Sequence, residues 1–262
     1  MEEVFVGRMS WRQVEAAIAR GAVALFPMGS TEQHGPHAPM GDYLAAEEIA
    51  LRAARETGDL VFPPLPFSYS EYFRHYPGTV TLSAHCLYEI VRETVGCILG
   101  SGFRHVVLVN GHKGNGPTLL NLARDLRREK GVLVPIVSPL GFGLTPAVNR
   151  EIYGDYRWAH GGEPMGSLMA YLFPGTVDLA RAEEWGTRDF CGLPAGIAGV
   201  SFEGVEVAMA LYMEEVAPPS GSLSDPRMAS TERGKRIVGE AVGRLARFVR
   251  WFKGIDPVIK GG

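Results

Sequence analysis

The chain has 262 residues, of which 46% are hydrophobic and 21% charged. That is the make-up of an ordinary globular protein, long enough to bury a full core without staples, so a disordered chain is excluded. A formal net charge of −3 with no lysine- or arginine-rich run argues against nucleic acid or an anionic membrane as partner.

Three cysteines, Cys86, Cys97 and Cys191, form no CxxC pair, so neither a disulfide framework nor a zinc ribbon is expected. Met1-Glu2-Glu3 is acidic and lacks a basic or apolar leader. No apolar stretch approaches the roughly 20 residues that span a bilayer. A cytoplasmic protein is the expectation.

In chain order, Ser10 and Gln13 read as a capping box opening an amphipathic helix over 11–20, with Gly21 as its stop. Ala22 to Phe26 is a short apolar run of buried-strand type. A Gly/Pro/His-rich loop covers 29–41, and a helix is expected over about 44–57. Residues 60–65 read as a strand, 67–81 as a long loop, and Ser83 as the cap of a helix running to about Gly100. Val106 to Val109 is the clearest strand. A loop at 110–116 leads to a helix over 117–130 with Pro117 in its first turn, then a strand at 132–137. Residues 162–172 suit a helix, 178–219 stay ambiguous, and 230–252 carry apolar residues at helical period. Strands alternating with helices predict a parallel sheet. The expected fold is α/β: one three-layer α/β/α domain over 1–262 with a mostly parallel sheet.

In such sheets ligands bind outside the carboxyl ends of the strands. Three loops expected there carry metal-type residues. Glu32 and His34 are two apart, so in an extended segment both point to one side. Asp42 follows where the loop meets a helix. His112 sits just after the clearest strand, and His160 and Glu163 share a third loop. A carboxylate–imidazole set of this kind suits zinc or a similar divalent ion. Each histidine alone is more often a surface or satisfied core residue; the coincidence on one sheet edge carries the reading. His85 and His105 read as structural, His37 as a support for a ligand, and His75, in the long loop, as a possible substrate contact.

Gly29-Ser-Thr-Glu-Gln-His-Gly-Pro-His37 resembles the N-terminal motif of the creatininase (creatinine amidohydrolase-like) family. Pro77 to Ser83, Asn110-Gly111-His112 with Gly114-Asn115, His160-Gly-Gly-Glu163, and Asp225-Pro226 with Ala229 and Glu232-Arg-Gly234 resemble its later motifs. The resemblance implies a creatininase-like fold and hydrolysis of an amide-type C–N bond. It implies two divalent ions per chain (zinc, manganese or iron), whose bridging hydroxide attacks the substrate. Glu32 and His112 would hold one ion and His34 the other, with an aspartate between them. His160 would be the acid/base that protonates the leaving nitrogen. A small-molecule substrate and a homo-oligomer, hexameric in the family, are implied as well.

Three departures stand out. The family's aspartate falls eleven residues after its glutamate, where this chain has Tyr43, with Asp42 one earlier. The freedom of Gly41 favours Asp42 taking that place, with Tyr43 left as a substrate-side residue. A glutamate two residues after the NGH histidine is here Gly114, for which Glu163 is the expected substitute, and a second acid is here Met165. These argue against creatinine as substrate. Lys113 reads equally as a contact to an anionic substrate group or as a solvated lysine. Two other classes compete. A phosphate-binding module at 111–116 fits neither GxGxxG nor a P-loop and leaves Glu32, His34 and Glu163 unexplained. A family member that has lost its chemistry, acting in binding or assembly, is motivated by Tyr43, Gly114 and Met165. A serine hydrolase is disfavoured by the lack of a GxSxG elbow.

Overall fold

A computed structural model describes residues 2–258; Met1 and 259–262, the ends of the expected domain, lie outside the described residues. Its centre is a four-stranded parallel sheet in the order β2-β1-β3-β4. The strands are β1 (Ala24–Met28), β2 (Leu60–Val61), β3 (Val106–Asn110) and β4 (Ile136–Val137). β1 and β3 pair along their whole length, Ala24 opposite Val106 through Met28 opposite Asn110. Both are buried throughout, as apolar runs covered on both faces should be.

Alternate strand residues enter two different cores. Val23, Leu25, Val107 and Val109 meet the apolar stripes of α2 (Asp42–Thr57), α7 (Met165–Leu172) and α9 (Thr231–Lys253). Ala24, Phe26, Met28, Val106 and Leu108 meet α1 (Trp11–Ala19), α3 (Ala84–Gly100) and α4 (Gly116–Lys130). The three layers of the expected α/β/α fold follow from that alternation. The caps are those expected: Ser10 and Gln13 form the box before α1, and the Ser83 hydroxyl accepts from Cys86 N at 3.1 Å.

Elsewhere the expectations need correction. The strands expected over 60–65 and 132–137 shrink to two residues each, because Pro63, Pro64 and Pro135 offer no N–H to a ladder. His160 does not follow the fourth strand directly; α5 (Pro139–Gly143) and α6 (Pro146–Tyr153) intervene. The helix expected from 162 begins at Met165. The ambiguous stretch 178–219 holds a small antiparallel sheet, β5 (Ala195–Gly196), β6 (Gly199–Phe202) and β7 (Val205–Ala208), followed by α8 (Met213–Val216). Val200, Leu211, Met213 and Val216 pack there around Phe73, forming a third apolar cluster. All three cysteines are free. Among the described residues no helix is long and apolar enough to cross a membrane.

Candidate metal centre

The carboxyl ends of β1 and β3 lie side by side, and the loops leaving them meet. Thr31 is clamped between Gly41 and Val80, Val80 N donating to Thr31 O at 3.0 Å, while Glu32 N donates to Met40 O at 2.8 Å. This holds residues 31–34 extended and turns Glu32 and His34 to one side, with His34 Nε2 3.7 Å from Glu32 Oε1. Asp42 opens α2 and accepts from Ser30 N. A Cβ on Gly29 would land on the Asp42 carboxylate and 2.5 Å from Tyr43 N, so only glycine lets the helix start this close to the strand end.

His112 is fixed by the asparagines of its own loop. Asn110 Nδ2 donates to His112 O at 2.8 Å and Asn115 Nδ2 to Asn110 Oδ1 at 3.1 Å, while Asn115 Oδ1 accepts from Tyr69 N. The Tyr69 carbonyl in turn accepts from His112 Nε2 at 2.9 Å. A carbonyl only accepts, so Nε2 carries the proton and Nδ1 faces the carboxylates, 3.2 Å from Glu32 Oε1 and 3.1 Å from Asp42 Oδ2. His160 is built the same way. Its Nε2 donates to Gln33 O at 2.7 Å, leaving the Nδ1 lone pair 4.0 Å from Glu32 Oε1. The ring is sandwiched between Phe73 (centroids 4.1 Å apart) and His34 (5.0 Å).

Two donor groups result, Glu32–Asp42–His112 and Glu32–His34–His160, the atoms of each within 4.8 Å of one another. Glu32 belongs to both. Ser70 Oγ donates to its Oε2 at 2.5 Å, so Oε1 is the oxygen turned to all three imidazoles. Glu32 and Asp42 are each only 2% exposed. Burial pushes the Glu32 pKa up, but His112, then His34 and His160, bring it well below the usual carboxylate range. Burial opposes protonation of His112, yet Glu32 and Asp42 outweigh it and raise its pKa well above the usual value. Burial, with the neighbouring His34 ring, pushes His160 down to about 3, so at neutral pH this imidazole is uncharged.

Two buried carboxylates this close require positive charge, which here falls to the protonated His112, and the three imidazole nitrogens gathered on Glu32 and Asp42 form a nitrogen–oxygen donor set that suits a divalent ion once that proton is released. His34 Nδ1 is buried without a hydrogen-bond partner among the described residues, so the support a ligating imidazole ordinarily finds for its other N–H is not supplied by them.

Of the expected site residues, the structure brings together Glu32, His34, Asp42, His112 and His160. The shared carboxylate is Glu32 rather than the aspartate, because Asp42, at the helix start, reaches only the His112 side. Glu163 is not brought in. It is buried, but its oxygens accept from Tyr153 Oη at 2.7 Å and Ser167 Oγ at 2.6 Å, tying α6 to α7. Burial raises its pKa. His75 is an exposed partner of Glu214. Lys113 is exposed beside His112, and Tyr43 is half-buried in the first turn of α2. Gln33, Ser70 and Phe73 were not expected. Gln33 lies between two ligand-type residues, the one signal that could have marked it.

A parallel α/β sheet with two such donor groups at its carboxyl edge makes a candidate divalent-metal centre. The family model described as creatininase, creatinine amidohydrolase, matches residues 7–249. The creatinine amidohydrolase of Pseudomonas putida is 32% identical over 266 residues, covering 95% of this chain and 97% of that protein. A mycofactocin precursor peptide peptidase of Mycobacterium ulcerans is 28% identical, covering 90% and 88%. A solved mutant creatininase of Zn–Zn type superposes with a TM-score of 0.82 at 29% identity, covering 97% of this chain and all of that one. The chain belongs to the creatininase family, and it is a hydrolase.

Proposed function

We propose that this chain, as one catalytic domain, hydrolyses the C–N bond of a small cyclic or otherwise non-peptide amide at a two-ion centre, and that creatinine is not its substrate. The observation that carries the reading is the pair of buried donor groups sharing Glu32. Divalent ions held there polarise a carbonyl and lower the pKa of bound water toward ~7. The protein's own part is orientation. Ser70 turns Glu32 Oε1 inward, the Tyr69 and Gln33 carbonyls set the tautomers of His112 and His160, and Phe73 shields His160. Lys113, exposed one residue after His112, is the candidate contact for an anionic part of the substrate, and Gly114 and Met165 are the departures that weigh against creatinine.

A peptide bond is the second reading, favoured by the similarity to the mycofactocin precursor peptide peptidase. Self-assembly is proposed too: β7 is an edge strand whose neighbourhood exposes Phe202, Val205, Val207 and Met209. The test incubates zinc- or manganese-loaded protein with creatinine, other cyclic amides, formamides and short peptides, reading products by mass spectrometry. Turnover of a non-creatinine amide that stops on chelation and returns with metal is expected. Metal-loaded protein that turns over nothing favours a binding or assembly protein instead.

A further inference from the structure

We infer that His160 is the third ligand of the second ion, in place of the side chain that Gly114 does not supply, so that the second seat is a His–His–carboxylate site that takes zinc in preference to manganese. The inference rests on the two-ion reading and says how this chain builds the second seat.

Three observations converge on it. First, residue 114 has no room for a ligand: a Cβ there would land on His112 Nε2 and lie 2.8 Å from Tyr69 O, the two atoms of the bond that orients His112. Second, the expected substitute is spent elsewhere, since both oxygens of Glu163 accept hydrogen bonds from Tyr153 and Ser167. Third, His160 has the free lone pair and the position. Its Nε2–H is bound to Gln33 O, so it is not a free proton donor to a leaving group, and its Nδ1 faces Glu32 Oε1.

The distances suit an ion better than a hydrogen bond. Glu32 Oε1 lies 4.0 Å from His160 Nδ1 and 3.7 Å from His34 Nε2. Both are too long for a hydrogen bond; ligand atoms of one tetrahedral zinc at about 2.0–2.1 Å lie roughly 3.4 Å apart, so each pair has only some tenths of an ångström to close on an ion. The two seats then differ in chemistry. The first offers two carboxylates and one imidazole. The second offers two imidazoles and one shared carboxylate, and imidazole-rich sets favour zinc while carboxylate-rich sets suit manganese.

The test uses the full chain, stripped of metal, reloaded with zinc or manganese alone, dialysed and analysed for ions per chain. Wild type should hold about two zinc ions, as a two-metal centre does, and lose one of two manganese ions on dialysis. His160→Ala and the bulkier His160→Gln should each keep one zinc, and that retained ion reports an intact fold. In the wild type, imidazole 15N spectra should show His160 Nδ1 shifting on zinc addition while Nε2 stays protonated. His160 variants that keep both zinc ions, or a His160 Nδ1 resonance unmoved by zinc, overturn the inference and leave the two-ion reading standing. Wild-type protein that takes up no ion overturns both.

Discussion

Gly114→Ala is a change of one methyl group that the geometry forbids. No left-handed backbone is needed at 114, so alanine suits the main chain there and would by itself stabilise by ~0.4–1 kcal/mol through the unfolded state. The obstacle is space. The new methyl lands on His112 Nε2 and 2.8 Å from the Tyr69 carbonyl oxygen, a backbone atom that cannot swing aside. Relief requires the imidazole to move and its 2.9 Å bond to Tyr69 to break. Overpacking costs roughly 1–3 kcal/mol, and the lost hydrogen bond adds about 1 kcal/mol. The sum, about 2–4 kcal/mol, exceeds the backbone gain. Felt at the metal, it weakens binding about 30- to 1,000-fold at 1.4 kcal/mol per decade. Competition with a chelator measures that affinity, and thermal unfolding of the metal-free protein measures any share felt by the fold. Gly114→Glu, which restores the family's carboxylate, should suffer the same loss and gain no creatinine hydrolysis. A Gly114→Ala protein with wild-type metal affinity and an unchanged or higher metal-free Tm would refute the reasoning.

Other substitutions separate the centre from its supports. Ser70→Ala removes the 2.5 Å bond to Glu32 Oε2; a hydrogen bond to a charged group is worth roughly 1.5–3 kcal/mol, so metal affinity should fall about 10- to 100-fold in calorimetric titration, and unchanged affinity counts against Ser70 as the residue that turns Oε1 inward. Tyr153→Phe takes a donor from buried Glu163 and should lower stability to denaturant by about 1–3 kcal/mol with metal content unchanged; lost metal would return Glu163 to the ligand set. Gly234→Ala puts a methyl against the Ser167 carbonyl where α9 crosses α7, so Tm should drop even though alanine is the better helix former by roughly 1 kcal/mol; a rise in Tm would mean the helices can part at no cost.

Much of the centre was legible because its chemistry lies in short local patterns. Glu32 and His34 share a side through plain alternation in an extended loop. Asn110 and Asn115 bracket His112 and tie it to Tyr69. Long elements were legible for the same reason, α9 through its apolar period and α3 through its Ser83 cap. What the sequence left unread depended on contacts distant in the chain. Glu163 resembled a spare ligand because nothing near it in the chain announces that Tyr153 and Ser167 hold both its oxygens. Phe73 stacks on His160 from 87 positions away, and Ser70 reaches Glu32 across 38. The 178–219 stretch was unreadable because β7 is exposed at every position, so no buried alternation marks it.

Glu32 is the one residue that both donor groups need, so the central claim turns on the ions retained per chain by Glu32→Gln, measured by elemental analysis beside the zinc-loaded wild type. The amide keeps the size of the side chain and removes its charge. About two ions should fall to nearly none, since a two-metal centre loses its common ligand. A Glu32→Gln protein that keeps both ions, or one at wild-type affinity, would contradict the shared-carboxylate centre.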